Sequence, residues 1–353
     1  MMARMGTPRR RAAGFALCVL LIASIAGCSL RRETPPIVTP SPDQYEQFRE
    51  AAAQSEVDII NALAAEGVRE GSAGYTGFVE AETAFVMTHL DALGGVYVPF
   101  PAVTPSATLA SSPSASPSAS AGPAPQPKTL TRAVADARDA DLAAALVADD
   151  PDLALLLASI GLSHAEALAV GAYQDAIAAG SAPLSAERTI VGAPFADLVP
   201  GATGLDPAVL EGIIVAHDYA AYAYEIIAAR SLDEARKQAL ERSRIHERRA
   251  DELVAIATAD PRVPAYVIDH EILDSDDAMA ALARATEAGI SDRYVTAFFG
   301  VAQTGASGLG DRGWLLAGAY DSLVQSLLWP GAVPAEADPL PGVVLPEAQP
   351  SSS

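Results

Sequence analysis

The chain has 353 residues, half of them hydrophobic and 6% aromatic, with a formal net charge of −21 at pH 7. This length accommodates about two domains. A composition rich in alanine and poor in aromatic residues favours closely packed helices over sheets. So strong a negative charge argues against nucleic acid as a partner and against electrostatic adhesion to anionic lipids.

The first 27 residues have the order of features that defines a bacterial export signal. An arginine-rich start precedes an apolar run over residues 15–25, which is too short for a comfortable membrane span. Small residues then lead to Gly27 and Cys28, a site that resembles the lipobox of bacterial lipoprotein signals. We therefore predict cleavage after Gly27 and attachment of acyl chains such as palmitate to Cys28, at the extracytoplasmic face of the cell membrane. The alternatives are an unlipidated secretory signal and an uncleaved anchor helix.

The only two cysteines of the chain both lie in this region. Cys18 leaves with the signal and Cys28 carries the lipid, so the mature protein has no thiol for a disulfide, for catalysis or for metal binding. Loss of the four signal arginines also takes the net charge from −21 to −25. This charge suits a soluble body that a tether holds clear of the membrane.

Three segments have compositions typical of disorder. Residues 28–42 contain a stretch rich in Pro, Thr and Ser directly after the lipid site, and we predict that they form a tether. Residues 102–127 consist almost wholly of small residues and proline, which is too little apolar surface to form a core. Residues 331–353 are again rich in proline and predict a disordered tail.

Helical periodicity predicts eight helices in the rest of the chain, and nothing alternates with a period of two for long enough to indicate a sheet. Asp206 followed by Pro207 is typical of a helix start, because aspartate caps free backbone N–H groups and proline fits the first turn. The predicted helices span residues 43–66, 75–93, 130–147, 152–179, 206–230, 232–259, 274–301 and 311–329.

Eight helices in two groups of four predict an all-α fold of antiparallel four-helix bundles. We predict an N-terminal bundle over residues 43–180, with residues 102–127 as an insertion, and a C-terminal bundle over residues 205–330. One larger all-helical body is the alternative.

Three motifs in the C-terminal group resemble a ferritin-like domain-of-unknown-function family that occurs in lipoproteins of high-GC Gram-positive bacteria. These motifs lie at residues 215–224, 246–251 and 282–287. Residues 89–99 and 155–160 resemble the region that often precedes that domain. The resemblance implies a four-helix up-down bundle and a location at the cell envelope. It implies no activity, because the family has none assigned.

The resemblance raises the question of a metal site. Ferritin-like bundles bind metal ions through inward glutamates and Glu-x-x-His pairs, because positions i and i+3 share a helix face. Where such domains often have Glu-His on the first helix, this chain has His217 and Asp218. A carboxylate-rich dimetal oxidase is not expected, because none of the five histidines follows a glutamate by three positions. Those positions hold Val86, Gly161, Ile214, Ser243 and Val267.

A smaller metal site remains a hypothesis for the C-terminal bundle. His217, His246 and Glu287 lie on inward-facing stripes of three helices and could coordinate zinc or another divalent ion. The alternative is a buried polar network in which each histidine bonds to a tyrosine, a carboxylate or the backbone.

In the N-terminal bundle, Glu82 and His89 fall on one helix face two turns apart, and His164 lies on an apolar stripe. Arg248 and Arg249 are most simply surface charges.

No motif for a serine hydrolase elbow, a phosphate-binding loop or a zinc protease helix is present in the sequence. The preferred hypothesis is therefore a lipid-anchored envelope protein that acts as a non-enzymatic helical binding or scaffold module, with a protein partner in the envelope and no cofactor. The alternative is a metal-binding or metal-dependent redox protein of ferritin-like type that holds a divalent ion.

Overall fold

A computed structural model gives the fold of the larger part of the chain. It describes residues 42–66, 73–96, 129–178, 189–190, 193–194, 199–269, 275–329 and 338–343. The predicted signal, the lipid site Cys28, nearly all of the tether and the low-complexity insertion lie outside the described residues.

The predicted all-α fold class is confirmed. Eight α-helices make up most of the described residues: α1 Gln44–Glu66, α2 Ala73–Ala92, α3 Leu130–Val147, α4 Pro151–Ala178, α5 Pro207–Arg230, α6 Asp233–Val254, α7 Asp276–Ala302 and α8 Leu309–Leu327. A 3-10 turn at Gly305–Gly308 joins α7 to α8. Within the described residues, extended pairing is limited to two two-residue strands, β1 Thr189–Ile190 and β2 Ala193–Pro194, which pair antiparallel.

The helix ends follow local chemistry. The Asp206 side chain accepts from the backbone N–H of Ala208 at 2.8 Å, and Pro207 begins α5, as the sequence predicts. The Ser275 side chain caps α7 in the same way. In contrast, α6 ends at Val254, five residues before its predicted end at residue 259. Past this point the backbone forms i to i+3 bonds at residues 256 and 257, so the chain tightens into turns and leaves the helical path.

Both groups of four helices share one connectivity. In the first group, α1 contacts α2 and α3 contacts α4, and a long connection joins the two pairs; α1 then contacts α3, and α2 contacts α4. In the second group, α5 contacts α6 and α7 contacts α8, and α5 contacts α7. Four-helix bundles with one long crossover have this arrangement. It leaves an interior onto which every helix of a group presents side chains.

The centre of the fold is α4, which contacts α2, α3, α7 and α8. Residues 151–170 of this helix are long and apolar enough to cross a membrane by length and composition alone, with a mean hydropathy of 1.8. However, 83% of that segment is buried inside the fold. A helix that is apolar on all sides and covered by protein is a core helix, and we interpret α4 in this way.

The two groups share a hydrophobic core. One continuous cluster of buried side chains contains Leu142 and Leu157 of the first group together with Ile213 and Phe298 of the second. The helices belong to one compact unit, Asp43–Ser353. The proposed boundaries of two separate domains stay a prediction.

Part of the predicted disordered tail is instead packed. Residues 338–343 lie against the helices, and Leu340 is 2% exposed in the shared core. The physical reason is that a short apolar segment inside a proline-rich sequence can fill a gap between helices without forming a helix of its own.

Candidate functional site

The three residues of the predicted C-terminal site come together inside the second helix group. His217 of α5, His246 of α6 and Glu287 of α7 are fully buried. His246 Nε2 lies 3.1 Å from Glu287 Oε1, and the Nδ1 atoms of the two histidines are 2.8 Å apart. His217 Nε2 is 2.7 Å from the hydroxyl of Tyr294. All three side chains point inward, as the apolar stripes predict.

Two arginines neutralise the carboxylates of this cluster. Arg242 donates from Nε and Nη2 to the two oxygens of Glu287, at 2.8 and 2.9 Å. Arg242 Nη1 and Arg249 Nη1 both donate to Asp321 Oδ2, at 3.1 and 2.9 Å. Burial alone would raise the pKa of Glu287, but Arg242 and His246 outweigh burial and lower that pKa to about 2. The guanidinium of Arg242 thus holds both oxygens that a metal ion would use, and the geometry favours the polar network. Metal binding at this triad stays a prediction.

The position of Arg249 corrects the sequence interpretation. This side chain is 5% exposed, whereas Arg248 beside it is exposed, as expected for a surface charge. The seven residues that separate Arg249 from Arg242 are close to two helical turns, so both guanidinium groups lie on the same face of α6. Asp321 on α8 pairs with both, and this ion pair offsets the desolvation cost of burying the second arginine.

A second buried cluster lies in the first helix group. His89 of α2 and His164 of α4 both face Glu56 of α1. His89 Nδ1 is 2.9 Å and His164 Nε2 is 3.0 Å from one atom, Glu56 Oε1. One ligand atom from each residue lies within 4.8 Å of the other two, and all three side chains are fully buried. This spacing is suited to a single metal ion.

Each imidazole also faces a hydrogen-bond acceptor on its outer side. His164 Nδ1 is 3.2 Å from both carboxylate oxygens of Glu82. His89 Nε2 is 2.8 Å from the backbone oxygen of Pro339. A neutral imidazole carries one N–H and can satisfy only one of its two acceptors. A cation between the inner nitrogens and Glu56 satisfies the inner contacts and leaves the N–H for the outer ones, which is how metal-binding histidines are usually oriented.

The charges of this cluster are strongly coupled. Burial alone would raise the pKa of Glu56, but His164 and His89 outweigh burial and lower that pKa to about 2. Burial alone would lower the pKa of His164, but Glu82 and Glu56 raise it well above its ordinary value. Without a metal, a carboxylate therefore faces a protonated imidazole. A metal ion that binds here must displace a proton from His164.

Two buried carboxylate oxygens in this region, Glu56 Oε2 and Asp141 Oδ2, have no hydrogen-bond donor among the described residues. Asp141 of α3 is 2% exposed and interacts electrostatically with Glu56 and His164. Burial, with the charge of Glu56 added, raises the pKa of Asp141 to about 8. Buried polar atoms normally have partners, so each of these two oxygens is an acceptor that a cation or a water molecule could satisfy. With Asp141, all four helices of the first group contribute to the cluster.

Gly161 explains why α4 carries a histidine without the glutamate of a Glu-x-x-His pair. It lies three residues before His164, and a Cβ at this position would be 2.7 Å from Cγ of Leu142 on α3. No larger side chain fits there while α3 and α4 pack this closely. The carboxylate that orients His164 comes instead from Glu82 on α2.

Sequence reasoning placed Glu82 and His89 on one helix face and His164 on an apolar stripe but did not identify Glu56 or Asp141. A usable signal was present for both. Glu56 interrupts the apolar stripe of α1 between buried neighbours, and Asp141 interrupts the stripe of α3 in the same way. A carboxylate at a core position of a helix is unusual and indicates a partner on another helix. The buried stripe neighbours are Ala52 and Ile59 on α1, and Ala137 and Ala145 on α3.

Comparison with known families places one domain on the chain. Residues 210–345 match the model of a domain of unknown function (DUF4439). The match begins in α5 and includes residues 338–343, whereas α1 to α4 precede it. A search of curated proteins and a search of solved structures each gave no match. The resemblance to a domain-of-unknown-function family is therefore supported for the second helix group.

Proposed function

We propose that this is a lipid-anchored protein of the cell envelope whose first helix group binds one divalent transition-metal ion through Glu56, His89 and His164. The observation that carries the proposal is that two imidazole nitrogens from different helices converge on a single buried carboxylate oxygen. The buried oxygens Glu56 Oε2 and Asp141 Oδ2 support it as a second observation, because neither has a hydrogen-bond partner among the described residues.

The distances suit a small cation. Zinc bonds to nitrogen and oxygen are about 2.0–2.1 Å, so neighbouring ligand atoms in a tetrahedral shell are about 3.3 Å apart. The two nitrogen–oxygen distances of 2.9 and 3.0 Å reach this value through small side-chain movements. Asp141 or a water molecule would complete the shell.

The ligand set narrows the class of ion. Two imidazoles with one or two carboxylates suit zinc, iron and manganese, whereas calcium and magnesium prefer oxygen ligands alone. Two histidines and one carboxylate are also the set with which Fe(II) proteins retain open coordination positions. A metal-dependent redox role is therefore the second candidate function, and the ion that the protein holds in the cell decides between them.

The second helix group has a scaffold role in this proposal. The two carboxylates beside its buried histidines and arginines, Glu287 and Asp321, are each paired with a guanidinium group. Its helices α7 and α8 pack against α4, which carries His164. Carboxylates that are paired in this way fix the position of such helices without providing a free ligand.

Anchoring at the envelope rests on the sequence alone and has its own test. Cys28→Ala is expected to abolish labelling of the protein by a radioactive or clickable fatty acid in growing cells, because Cys28 is the only thiol at the predicted cleavage site. Cys18→Ala is the matched control and should remain labelled. Persistent labelling of the Cys28→Ala protein would contradict the anchor.

The metal site is tested by elemental analysis and thermal melting of the full chain purified without a metal-affinity tag. We expect about one zinc ion per chain after incubation with zinc. We also expect a rise in unfolding free energy of about 3 kcal/mol at a hundredfold excess over the dissociation constant. His164→Gln should lose both effects, because the imidazole that faces Glu56 is gone.

His246→Gln is the matched control, since His246 is equally buried and also faces a glutamate. It should lower stability but keep zinc and the zinc-dependent rise. Loss of zinc in His246→Gln with retention in His164→Gln would move the site to the second helix group. No zinc in the unchanged protein would refute the proposal.

A further inference from the structure

The C-terminal strap, residues 338–343, follows the second helix group in sequence but contacts both groups. On the first group, Ser159 Oγ of α4 donates to the backbone oxygen of Pro341 at 2.9 Å, and the backbone oxygen of Pro339 lies 2.8 Å from His89 Nε2. Leu340 is buried between these two contacts. A segment of the domain matched by the family model thus reaches a ligand of the proposed metal site.

The strap is tightly fitted against the second group as well. Gly342 has a φ of +81°, a conformation that glycine adopts without cost. A Cβ at Gly342 would lie 2.3 Å from Cγ1 of Val295 on α7. Val343 N donates to the oxygen of Leu340 at 3.0 Å and closes the turn around this glycine. Any side chain at Gly342 should therefore push the strap away from its seat.

The contact with His89 has a chemical consequence. Two groups lie within reach of His89 Nε2, the backbone oxygen of Pro339 at 2.8 Å and the hydroxyl of Ser163 at 3.0 Å. A hydroxyl can donate or accept, so Ser163 alone does not determine which ring nitrogen carries the proton. A carbonyl only accepts. With the strap in place, a proton on Nε2 satisfies Pro339. A metal ion next to Glu56 can then take the place of a proton on Nδ1 and bind the lone pair of that atom.

We propose that Pro339 is a positioning residue of the metal site and that docking of the C-terminal strap and metal binding strengthen each other. This inference rests on the proposed metal-binding function. The strap holds His89 in the metal-binding tautomer, and the bound ion in turn holds His89 where it donates to Pro339. By thermodynamic linkage, the factor by which docking raises metal affinity equals the factor by which metal favours docking. Outer partners of metal-binding histidines typically change affinity by about 10–100-fold.

The test compares two glycine variants in the full chain. Gly342→Ala should displace the strap through the clash with Val295. Gly305→Ala is the matched control, because Gly305 also has a positive φ, of +61°, but open space around its Cβ. The zinc dissociation constant is measured by competition with a chelator, and the visible spectrum of the cobalt(II) protein reports the ligand geometry.

We expect Gly342→Ala to bind zinc at least about tenfold more weakly and to change the cobalt spectrum, and Gly305→Ala to do neither. Adding Val295→Ala to Gly342→Ala removes the clashing methyl group and should restore part of the affinity. Zinc should also slow cleavage after Asp338 by a protease specific for acidic residues. If Gly342→Ala does not fold, Ser159→Ala, which removes one strap hydrogen bond without backbone strain, is measured in its place.

The outcomes separate the two claims. An unchanged protein that binds no zinc refutes the metal-binding function itself. Zinc binding that is equal in the unchanged protein and in the strap variant overturns the role of the strap and leaves the metal site standing. Weaker binding by Gly342→Ala with an unchanged cobalt spectrum, or equal weakening in Gly305→Ala, also overturns it, because a general loss of stability would then account for the effect.

Discussion

Arg242→Met is expected to lower the free energy of unfolding by about 3–5 kcal/mol, the usual result of removing one partner from a buried ion pair. Arg242 is 2% exposed and donates to Glu287 and Asp321, which are themselves buried. Methionine fills a similar space but leaves Glu287 as an unpaired charge beside His246. Chemical denaturation measures the change directly, and the melting temperature should fall by about 10 °C for a unit of this size.

Lys237→Met on the same helix is the matched control. Lys237 pairs with Glu234 at 3.0 Å, but its side chain is 74% exposed, and such surface pairs contribute little. The change should stay within about 0.5 kcal/mol. A loss as small in Arg242→Met would mean that water reaches the network.

A double variant separates the interaction energy of Arg242 with Glu287 from the contributions that each side chain makes alone. Replacing both Arg242 and Glu287 by methionine removes both charges, while Asp321 keeps its bond to Arg249. The double variant should be less destabilised than the sum of the two single variants by about 1–3 kcal/mol. Strict additivity would show that the two side chains do not interact in solution.

The helices were predictable from sequence because their signals are local. Helical period and capping residues predicted both ends of α1, α2, α4 and α5 to within two residues of the observed ends. Asp206 caps α5 as its chemistry requires. The end of α6 was not predictable, because alanines and isoleucine continue the helical pattern beyond Val254. The turns that end this helix depend on where the following loop has to run.

The contacts that build the two clusters were less predictable, because they join residues far apart in the chain. Glu56 meets His89 and His164 from positions 33 and 108 residues away, and Pro339 meets His89 across 250 residues. A search for ligand pairs at i and i+3 detects only ligands on one helix. Here each of the three inner ligands comes from a different helix.

The same limit explains the interpretation of the C-terminal triad. The apolar stripes of the three helices correctly predicted that His217, His246 and Glu287 point inward. They gave no information on Arg242, which contacts His246 and pairs with Glu287. Whether an inward carboxylate is available to a metal depends on this cross-helix partner, and amphipathic pattern does not encode it.

Asp141→Asn is expected to stabilise the metal-free protein at alkaline pH and to weaken metal binding. Burial, together with Glu56, raises the pKa of Asp141 from 3.8 to about 8. A group whose pKa is raised on folding contributes stability that is fully present below its unfolded value and is lost as pH rises through its folded value. The metal-free protein should therefore lose this contribution between about pH 4 and pH 8. Asparagine does not titrate, so its variant should be more stable by about 2–4 kcal/mol at pH 8.

Asp139→Asn is the matched control. Asp139 lies two positions before Asp141 on α3, but its side chain is 53% exposed and pairs with a neighbouring arginine. It should leave both stability and its pH dependence nearly unchanged. A difference between Asp141→Asn and the unchanged protein that is the same at pH 4 and pH 8 would show that folding does not raise the pKa of Asp141.

With zinc bound at pH 8, we expect the unchanged protein to be more stable than Asp141→Asn, the reverse of the order without metal. A carboxylate whose charge is unfavourable in the buried, metal-free cluster becomes favourable beside a divalent cation. The zinc-dependent rise in melting temperature should therefore be larger for the unchanged protein than for Asp141→Asn. If position 141 served only stability, asparagine would make the metal-free protein more stable at pH 8. If it serves a metal site, the carboxylate is needed for binding although it destabilises the metal-free protein. An equal zinc response in both proteins would remove Asp141 from the metal site and leave the orphaned oxygen of Glu56 as the single unpaired acceptor assigned to it.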